Sequence, residues 1–424
     1  MSYSTASAQA RLDAILDPGT RADLGQHPHC AVLAAQGRIG GTLVWIAATD
    51  ASRARGAIGL AEAEVLSELL REARKMPAPV FLLLDSAGAK VDEGLAALGA
   101  FRWLYREALL TRLAAIPMFA LLGRACFGGA SMLATLCNLR VYSPRTLLGV
   151  SGPAVIQALA GSDQLDAADT AAVQALMGGE ARAKLGDLEL LAADDLAAFR
   201  ARALELAASM PVNLDIRADH AQLAQRLGAE SAPARSPDEA LRRMQQIAPA
   251  GYTCTARGEV VRAVAPQPGS QPIFLGVLSG RAIGAAASWT LADELIQLHE
   301  SHPGIAVVLV LDASGHAATR YDEALLLSQY ITHFALTAAW LAAQNHRVML
   351  WIPGQAAGAV YVAFASPAEH VAALATAQLR ILPQAAVQQI LGATRADTSD
   401  TETWIRTGVA DALLDSRFAH YAQA

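Results

Sequence analysis

The chain has 424 residues, of which 53% are hydrophobic and 17% are charged, and its formal net charge is −6. This length exceeds one ordinary hydrophobic core and suits two domains, and the high apolar fraction predicts a large buried interface, within the chain or in a homo-oligomer. The modest charge, without a Lys/Arg stripe, argues against nucleic acid as a partner. No apolar stretch suits a membrane helix and residues 1–7 lack a secretory signal, so we expect a cytoplasmic protein.

The first half of the sequence alternates predicted strands and helices. Residues 31–48 are rich in β-formers and predict early strands, and residues 60–74 have the apolar spacing of an amphipathic helix. The run Phe81–Leu84 is apolar on both faces, as a central strand covered by helices should be. The alternation continues through Ser143 and predicts a parallel sheet with crossover helices.

The pattern weakens between residues 210 and 271, where polar and Pro-containing stretches predict a linker with one short helix near 237–246. A second half then begins with a strand-like run at 273–277 and a helix at about 291–299. The predicted organisation is a domain at 1–209, a linker region at 210–271 and a domain at 272–424.

The sequence contains an internal repeat. The apolar run, acid and small-residue turn of Val80–Gly88 recur at Val307–Gly315. In each half a second apolar run follows and breaks at a glycine, Gly123 or Gly354, with nearly the same spacing between the copies. Two copies of one fold explain this pattern better than unrelated strands do.

The turns that follow these strands predict a catalytic chemistry. A strand end and a helix start both leave backbone N–H groups without partners, and small residues let a ligand approach them. Such prepositioned dipoles stabilise an oxygen that gains negative charge during a reaction. We therefore expect two oxyanion holes, each built from two turns. The first comprises Ala87 and Gly88 with Gly128 and Gly129, and the second comprises Gly315 and His316 with Gly358 and Ala359.

Simpler interpretations exist for each candidate. The glycines could serve only tight packing of strands on helices. His316 could donate a proton or bind a carboxylate, or it could be a solvent-facing turn residue. Cys126 could be a nucleophile, but a small buried residue is the simpler interpretation, because no histidine neighbours it in sequence. Helix capping accounts for the acid pairs Asp92–Glu93 and Asp322–Glu323.

The four cysteines predict neither a zinc ribbon nor a disulfide framework. Cys30, Cys126, Cys137 and Cys254 show no Cys-x-x-Cys spacing. Buried or inert thiols are expected. His299 and His302, with Glu300 between them, lack a convincing metal-ligand spacing, and no metal site is predicted.

The motifs resemble those of a known family. The blocks Leu84–Gly94, Gly123–Ser131 and Val150–Pro153 are similar to the carboxyltransferase branch of the crotonase superfamily, and more narrowly to the beta subunit of biotin-independent malonate decarboxylase. The block Asp312–Glu323 resembles the gamma subunit of that enzyme. The resemblance implies an α/β fold of two tandem crotonase-like (carboxyltransferase) domains, with parallel sheets and crossover helices, in which both subunits are fused in one chain.

The resemblance also implies an activity. The substrate would be a malonyl thioester on the prosthetic arm of an acyl carrier protein, or on coenzyme A, and loss of CO2 would leave an acetyl thioester. No tightly bound cofactor is implied, and the implied partners are the carrier protein, other decarboxylase subunits and further copies of the chain. The half with Gly128 is expected to face the half with Gly358, in one chain or across a dimer. The candidate substrate-binding residues are Lys90, Arg124, Ser131, Arg320 and Tyr361. Lys90 stands where the family usually has an arginine, and Ser131 and Tyr361 lie one helical turn or less beyond the glycines.

Two alternatives remain open at this point. The chain could be a biotin-dependent acyl-CoA carboxyltransferase, with biotin supplied on another protein because the sequence has no biotin-carrier segment. It could also be a catalytically silent scaffold that keeps the fold and binds a carrier protein or partner subunits.

Overall fold

The computed structural model describes residues 1–25, 30–186, 188–209, 214–228, 236–267, 271–383, 386–387 and 400–415. The chain forms two compact units. The first comprises Met1–Glu93, Trp103–Leu214 and Ala318–Gln329, and the second comprises Gly94–Arg102, Asp215–Ala317 and Tyr330–Ala424. Each unit therefore includes a short segment from the other half of the sequence.

One sheet forms the centre of the first unit. Its strands are β1 (Ala22–Asp23), β2 (Val32–Ile39), β3 (Thr42–Thr49), β4 (Val80–Ser86), β5 (Met118–Phe127), β6 (Leu139–Tyr142), β7 (Leu147–Gly149) and β8 (Glu189–Leu191). The strand order is β1-β2-β3-β4-β5-β6-β8, and β7 pairs with the end of β5. The first two pairings are antiparallel, and every later one is parallel, as the sequence predicts for the central strands.

Helices precede, follow and connect the strands. Their bounds are α1 (Ala8–Ile15), α2 (Leu60–Lys75), α3 (Leu95–Leu113), α4 (Gly128–Leu136), α5 (Pro153–Ala160), α6 (Thr170–Met177), α7 (Gly179–Arg182), α8 (Leu196–Ala207), α9 (Ile216–Leu227), α10 (Asp238–Ile247), α11 (Ala285–Ser301), α12 (Arg320–Ala324), α13 (Leu327–Ala343), α14 (Gly358–Ala365) and α15 (Thr401–Arg406). The predicted helix at 60–74 is confirmed as α2. Its first turn is capped by two acids, because Glu62 accepts the N–H of Gly59 and Glu93 accepts that of Leu60.

The core of the first unit explains why its central strands are apolar on both faces. Every residue of β4 is buried. Phe81 and Phe119 on neighbouring strands pack with Leu12 of α1 and Phe199 of α8. Burial of side chains on two faces requires apolar residues at successive strand positions, which is the pattern that the sequence shows.

The second unit has a sheet of the same design. Its strands are β9 (Thr253–Arg257), β10 (Val260–Val264), β11 (Ile273–Leu278), β13 (Val307–Asp312), β15 (Val348–Ile352), β17 (His370–Ala373) and β19 (Ala412–Leu413), and two small sheets pair β12 (Ala282–Ile283) with β14 (Gly315–His316) and β16 (Gln355–Ala357) with β18 (Gln378–Arg380). From β9 to β19 the sheet has two antiparallel pairings followed by four parallel ones. The internal repeat seen in the sequence is therefore a repeat of architecture.

The repeat extends further upstream than the sequence predicts. The predicted short helix at 237–246 is confirmed as α10, but the hairpin β9–β10 also lies within 210–271 and pairs with β11 in the second sheet. Further helix is present at α9, while residues 210–213, 229–235 and 268–270 lie outside the described part. The limits 1–209 and 272–424 stay a proposal, and the strand order favours a second repeat that starts near α10.

Helix length and polarity bear on membrane insertion. Within the described residues, no helix combines the length and the apolar character needed to cross a bilayer.

Candidate active site

The turn after β4 carries the first predicted oxyanion donors, and both of their N–H groups form hydrogen bonds within the turn region. The N–H of Ala87 donates to the carbonyl of Arg55 at 3.0 Å, and the N–H of Gly88 donates to Ser86 Oγ at 3.1 Å. These two groups are therefore engaged in holding the turn itself. Gly88 has a φ of 104°, a backbone conformation that favours glycine.

The next residue, Ala89, offers a further candidate donor that the sequence did not indicate. Ala89 forms a parallel bridge with Ile58, in which Ile58 N–H donates to the Gly88 carbonyl and Lys90 N–H donates to the Ile58 carbonyl. This pairing leaves the Ala89 N–H on the other side of the strand. It has no acceptor among the described residues. The parallel bridge between Ile58 and Ala89, which lies three residues after the end of β4, identifies this N–H as unpaired within the described residues. No pattern in the sequence predicts that bridge.

The start of α4 supplies a second donor. Gly128 has a φ of 57°, and its N–H donates to the Val150 carbonyl at 3.1 Å. The N–H of Gly129, the following residue, has no acceptor in the described part of the chain. The first turn of a helix lacks intrahelical acceptors for its N–H groups and carries a partial positive charge. Of the predicted pair in this turn, Gly129 is the one that is available to a ligand.

The two turns touch each other. A methyl group on Gly128 would lie 3.2 Å from the Cα of Gly88 and 3.9 Å from the nitrogen of Ala89. Any side chain at either glycine would therefore separate the strand end from the helix start. We call the N–H groups of Ala89 and Gly129 the first amide nest.

The second unit repeats this backbone. Gly315 has a φ of 134° and Gly358 a φ of 53°, close to the values of Gly88 and Gly128. The parallel pairing of Ile283 with His316 matches that of Ile58 with Ala89. α14 begins at Gly358, and the N–H of Ala359 has no acceptor among the described residues. We call Gly315–His316 and Gly358–Ala359 the second turn pair.

His316 gives the second turn pair a side chain that the first nest lacks. The imidazole is buried, which differs from a solvent-facing turn histidine. A methyl group on Gly358 would lie 4.0 Å from its Nδ1 atom. Burial lowers the pKa of His316 to about 4. The imidazole is therefore neutral at pH 7.

Three of the predicted substrate-binding side chains have structural partners instead. Lys90 Nζ lies 2.7 Å from Glu62 Oε1 and 3.6 Å from Glu93 Oε1, beside the start of α2. Ser131 Oγ donates to the carbonyl of Gly128, within its own helix turn. Tyr361 is fully buried and donates to the carbonyl of Val409. These contacts favour roles in the fold, because each polar group is already satisfied.

The other two predicted substrate-binding residues have different surroundings. Arg124 in β5 and Arg320 at the start of α12 are exposed. Neither guanidinium forms an ion pair with another described residue. Both remain candidates for an anionic ligand.

An acid at the end of β4 and another at the end of β13 each accept a backbone N–H from just after the glycine that breaks the next apolar run. Asp85 accepts the N–H of Ala125 and pairs with Arg11 of α1 at 2.8 Å. Asp312 accepts the N–H of Gln355, and Arg243 of α10 pairs with it at 2.6 Å. The same Asp–Arg arrangement thus braces the strand ends of both repeats, from helices at matching positions.

The cysteines match their expected inert character. All four are in the described residues and are free thiols. Cys126 is fully buried, and burial raises its pKa well above the ordinary value, which disfavours the thiolate. Among the described residues, no group of three or more His, Cys, Asp and Glu side chains is arranged to hold a metal ion.

Comparison with known proteins gives two family matches in one chain. Residues 16–245 match the carboxyl transferase domain, and residues 279–398 match the malonate decarboxylase gamma subunit. The order of the two matches is the one that the two motif blocks predict.

Two relatives are 29% and 31% identical to the chain over part of its length. The propionyl-CoA carboxylase beta chain of Rhodococcus erythropolis is 29% identical over 201 residues, which are 47% of this chain and 40% of the relative. Malonyl-S-ACP:biotin-protein carboxyltransferase of Malonomonas rubra is 31% identical over 139 residues, which are 32% and 43% of the two chains. The chain thus spans less than half the length of these curated relatives.

A solved structure is similar to part of the chain. One chain of a Pseudomonas malonate decarboxylase hetero-tetramer in complex with malonate is 26% identical, with 55% of this chain and 94% of that chain covered and a TM-score of 0.48. The two family matches, together with a mainly parallel sheet in each unit, confirm the predicted fold class of two tandem crotonase-like carboxyltransferase domains. Because the carboxyl transferase domain match covers more than half of the sequence, this protein belongs to the carboxyl transferase family, with a malonate decarboxylase gamma subunit domain in its second half.

Proposed function

We propose that the protein decarboxylates a malonyl thioester to the acetyl thioester. The observation that carries this proposal is the succession of a carboxyl transferase domain and a malonate decarboxylase gamma subunit domain in one chain. The backbone geometry supports it, because each unit presents, at the start of a helix and beside a small-residue turn, an N–H that has no acceptor among the described residues.

The first amide nest suits the charge that this reaction creates. The bond between the methylene carbon and the carboxylate breaks, CO2 leaves, and the electron pair moves onto the thioester oxygen to give an enolate. The N–H groups of Ala89 and Gly129 would donate to that oxygen. Donors fixed in advance stabilise the developing charge without reorganisation, and each contributes a factor of about a hundred or more to the rate. Protonation of the carbon then gives the acetyl group.

The second turn pair offers a donor of the same kind within the second unit. The N–H of Ala359 would donate to an oxygen of a carboxylate or carbonyl group bound there. The neutral imidazole of His316 adds no positive charge beside that position. A full positive charge would stabilise a bound carboxylate in the ground state and oppose its loss, so a neutral neighbour suits decarboxylation.

Carrier and partners follow from the same proposal. The malonyl group would arrive on an acyl carrier protein or on coenzyme A, and Arg124 and Arg320 are candidates for the phosphates of that arm. Other decarboxylase subunits and further copies of the chain are the proposed partners, and the proposed location is the cytoplasm. The chemistry itself requires no redox or metal cofactor, since the electron pair remains on the substrate.

A biotin-dependent carboxyl transfer is the second candidate. It is favoured by the names of two relatives, a propionyl-CoA carboxylase beta chain and a malonyl-S-ACP:biotin-protein carboxyltransferase. In that reaction the carboxyl group would pass from the malonyl thioester to biotin on a separate carrier protein. The first amide nest would act in the same way in both reactions.

Product analysis distinguishes the two reactions. The purified chain would be incubated with malonyl-CoA or malonyl-ACP, with and without a biotinylated carrier protein, and CO2 and acetyl thioester would be quantified. We expect acetyl thioester and CO2 in equal amounts without the carrier. Turnover that strictly requires the biotinylated carrier would favour carboxyl transfer. Binding of malonyl-ACP without turnover under either condition would favour a scaffold.

A further inference from the structure

Glu323 is a buried acid that the proposed chemistry does not use. It lies in α12 and is 0% exposed. Although α12 follows the turn of the second repeat in sequence, the segment Ala318–Gln329 belongs to the first unit. Capping of a helix does not explain this side chain, because its contacts are with a different part of the first unit.

Those contacts hold a short segment that begins in β7. Glu323 Oε1 accepts the N–H of Ser151 at 2.6 Å. Arg182 donates through Nη1 to the Glu323 carbonyl at 2.6 Å, and through Nε and Nη2 to the Leu148 carbonyl at 2.9 and 2.7 Å. We call residues 148–151 the strap. Glu323 and Arg182 together fix both of its ends.

The strap adjoins the first amide nest. The N–H of Gly128 donates to the Val150 carbonyl, in the middle of the strap. β7, whose last two residues belong to the strap, pairs with Ala125, Cys126 and Phe127 at the end of β5. The left-handed conformation of Gly128, which directs the next N–H, is therefore formed against the strap.

The carboxyl group of Glu323 fills the space beside Gly149 of the strap. A methyl group on Gly149 would lie 2.7 Å from Glu323 Oε2, well inside van der Waals contact. Oε2 itself accepts no hydrogen bond from the described residues and lies 3.7 Å from Arg182 Nη2. The carboxyl group thus occupies the volume that a side chain at position 149 would need.

We propose that Glu323 is a positioning residue for the first amide nest: with Arg182 it holds the strap, and the strap holds Gly128 so that the Gly129 N–H is directed at the substrate. This inference rests on the proposed function for its kinetic part and on the geometry of the first unit for its structural part. It gives a residue of the second half of the sequence a task in the site of the first.

The ionisation of Glu323 determines which substitution should be tolerated. Burial raises the pKa of Glu323 to about 7, although the Arg182 guanidinium and the Ser151 N–H act in the opposite direction, and Asp322 is the other charged group beside it. Both forms of the acid can accept the Ser151 N–H through Oε1. An amide oxygen can do the same, so Glu323→Gln should preserve the strap.

The test combines hydrogen exchange with kinetics on the full chain. In Glu323→Ala and Gly149→Ala, we expect the amides of residues 128–131 to exchange about tenfold faster and kcat to fall about tenfold or more, with KM nearly unchanged, because small displacements of reacting groups are costly. Glu323→Gln should remain close to the parent protein. The matched control is Glu189→Ala, which removes a buried acid paired with Arg140 in the same unit without touching the strap.

The possible results of these experiments lead to different conclusions about Glu323. Normal exchange at 128–131 in folded Glu323→Ala or Gly149→Ala would overturn the proposal, as would the same acceleration in Glu189→Ala. If Glu323→Ala does not fold, Gly149→Ala decides, since it displaces the carboxyl group and removes none. If the parent protein does not turn over malonyl thioester, the exchange data still decide the positioning role, and the proposed function alone fails.

Discussion

At the scale of single residues, the two repeats use the same ion pair under different conditions of burial. The side chains of Arg11 and Asp85 are 1% and 5% exposed, whereas those of Arg243 and Asp312 are 21% and 4% exposed. A charge that loses its partner inside a protein must be dehydrated without compensation. The more buried pair should therefore be the more sensitive to the loss of its arginine.

This difference in burial predicts that Arg11→Ala destabilises the protein more than Arg243→Ala does. Arg11→Ala should lower the free energy of unfolding by about 3 to 5 kcal/mol, because Asp85 is left buried and unpaired. Arg243→Ala should cost about 1.5 to 3 kcal/mol, because water can replace part of the lost hydrogen bonding. Urea unfolding of the two variants measures both values. Arg202→Ala is the control, since its pair with Glu205 is exposed, and equal losses for Arg11→Ala and Arg243→Ala would contradict the argument.

At the scale of elements, three helices of the second unit are joined by a buried polar chain. His220 of α9 lies with its Nδ1 atom 3.1 Å from His333 Nε2 in α13, and with its Nε2 atom 3.1 Å from Asp293 Oδ1 in α11. Trp289 of α11 stacks on the His220 ring at a centroid distance of 4.4 Å. A hydrogen bond between two imidazoles needs at least one neutral ring, so acid should weaken this link.

The helix network predicts that stability falls on acidification. Burial, with His220 nearby, lowers the pKa of His333 to about 3, while a histidine in the unfolded chain titrates near 6.5. Below about pH 6.5 the unfolded state therefore binds a proton that the folded state does not, which costs about 1.4 kcal/mol per pH unit for this residue. Urea unfolding between pH 7.5 and 5 should show a shallower pH dependence for His333→Gln than for the parent protein.

A control separates this network from general acid effects. His302→Gln, which changes a histidine outside the network, is the matched control. Burial also lowers the pKa of His316, so part of the slope should persist in His333→Gln. An identical slope in the parent protein and in His333→Gln would show that the network does not carry the pH dependence.

At the scale of the whole molecule, the two units share both the order of their strand pairings and the backbone conformation of equivalent glycines. Each unit has the same succession of antiparallel and parallel pairings, and each opens a helix with a left-handed glycine after a strand. Gly128 and Gly358 have φ values of 57° and 53°. A side chain at either position would also meet a neighbour at 3.2 Å. Equivalent positions should therefore respond equally to the same substitution.

The duplication predicts matched losses of stability. Gly128→Ala and Gly358→Ala should each lower the free energy of unfolding by about 1 to 2 kcal/mol, because alanine is strained in the left-handed region. Gly152→Ala is the control, since its φ is −70° and its nearest neighbour would lie at 3.7 Å. Chemical denaturation measures all three. A loss confined to one repeat would contradict structural equivalence.

The sequence predicts the repeat and the parallel strands well. It does not predict which backbone N–H groups of the turns stay without an acceptor. Apolar runs such as Phe81–Leu84 are sufficient for central strands, because burial on two faces leaves a clear pattern. The extent of the second repeat was missed, since α10 and the hairpin after it share no evident motif with α1 and β2. Ala89 was missed for another reason. Which N–H remains unpaired depends on the bridge to Ile58, a contact between residues distant in sequence.

The most direct test of the account is release of CO2 from malonyl thioester by Gly129→Pro. Proline at the second position of α4 removes one N–H, and the first helical turn tolerates it. Ala197→Pro, at the second position of α8, makes the same change away from the nest. We expect Gly129→Pro to lower kcat about a hundredfold or more and Ala197→Pro to leave it unchanged. A folded Gly129→Pro variant with the parent rate would contradict the account.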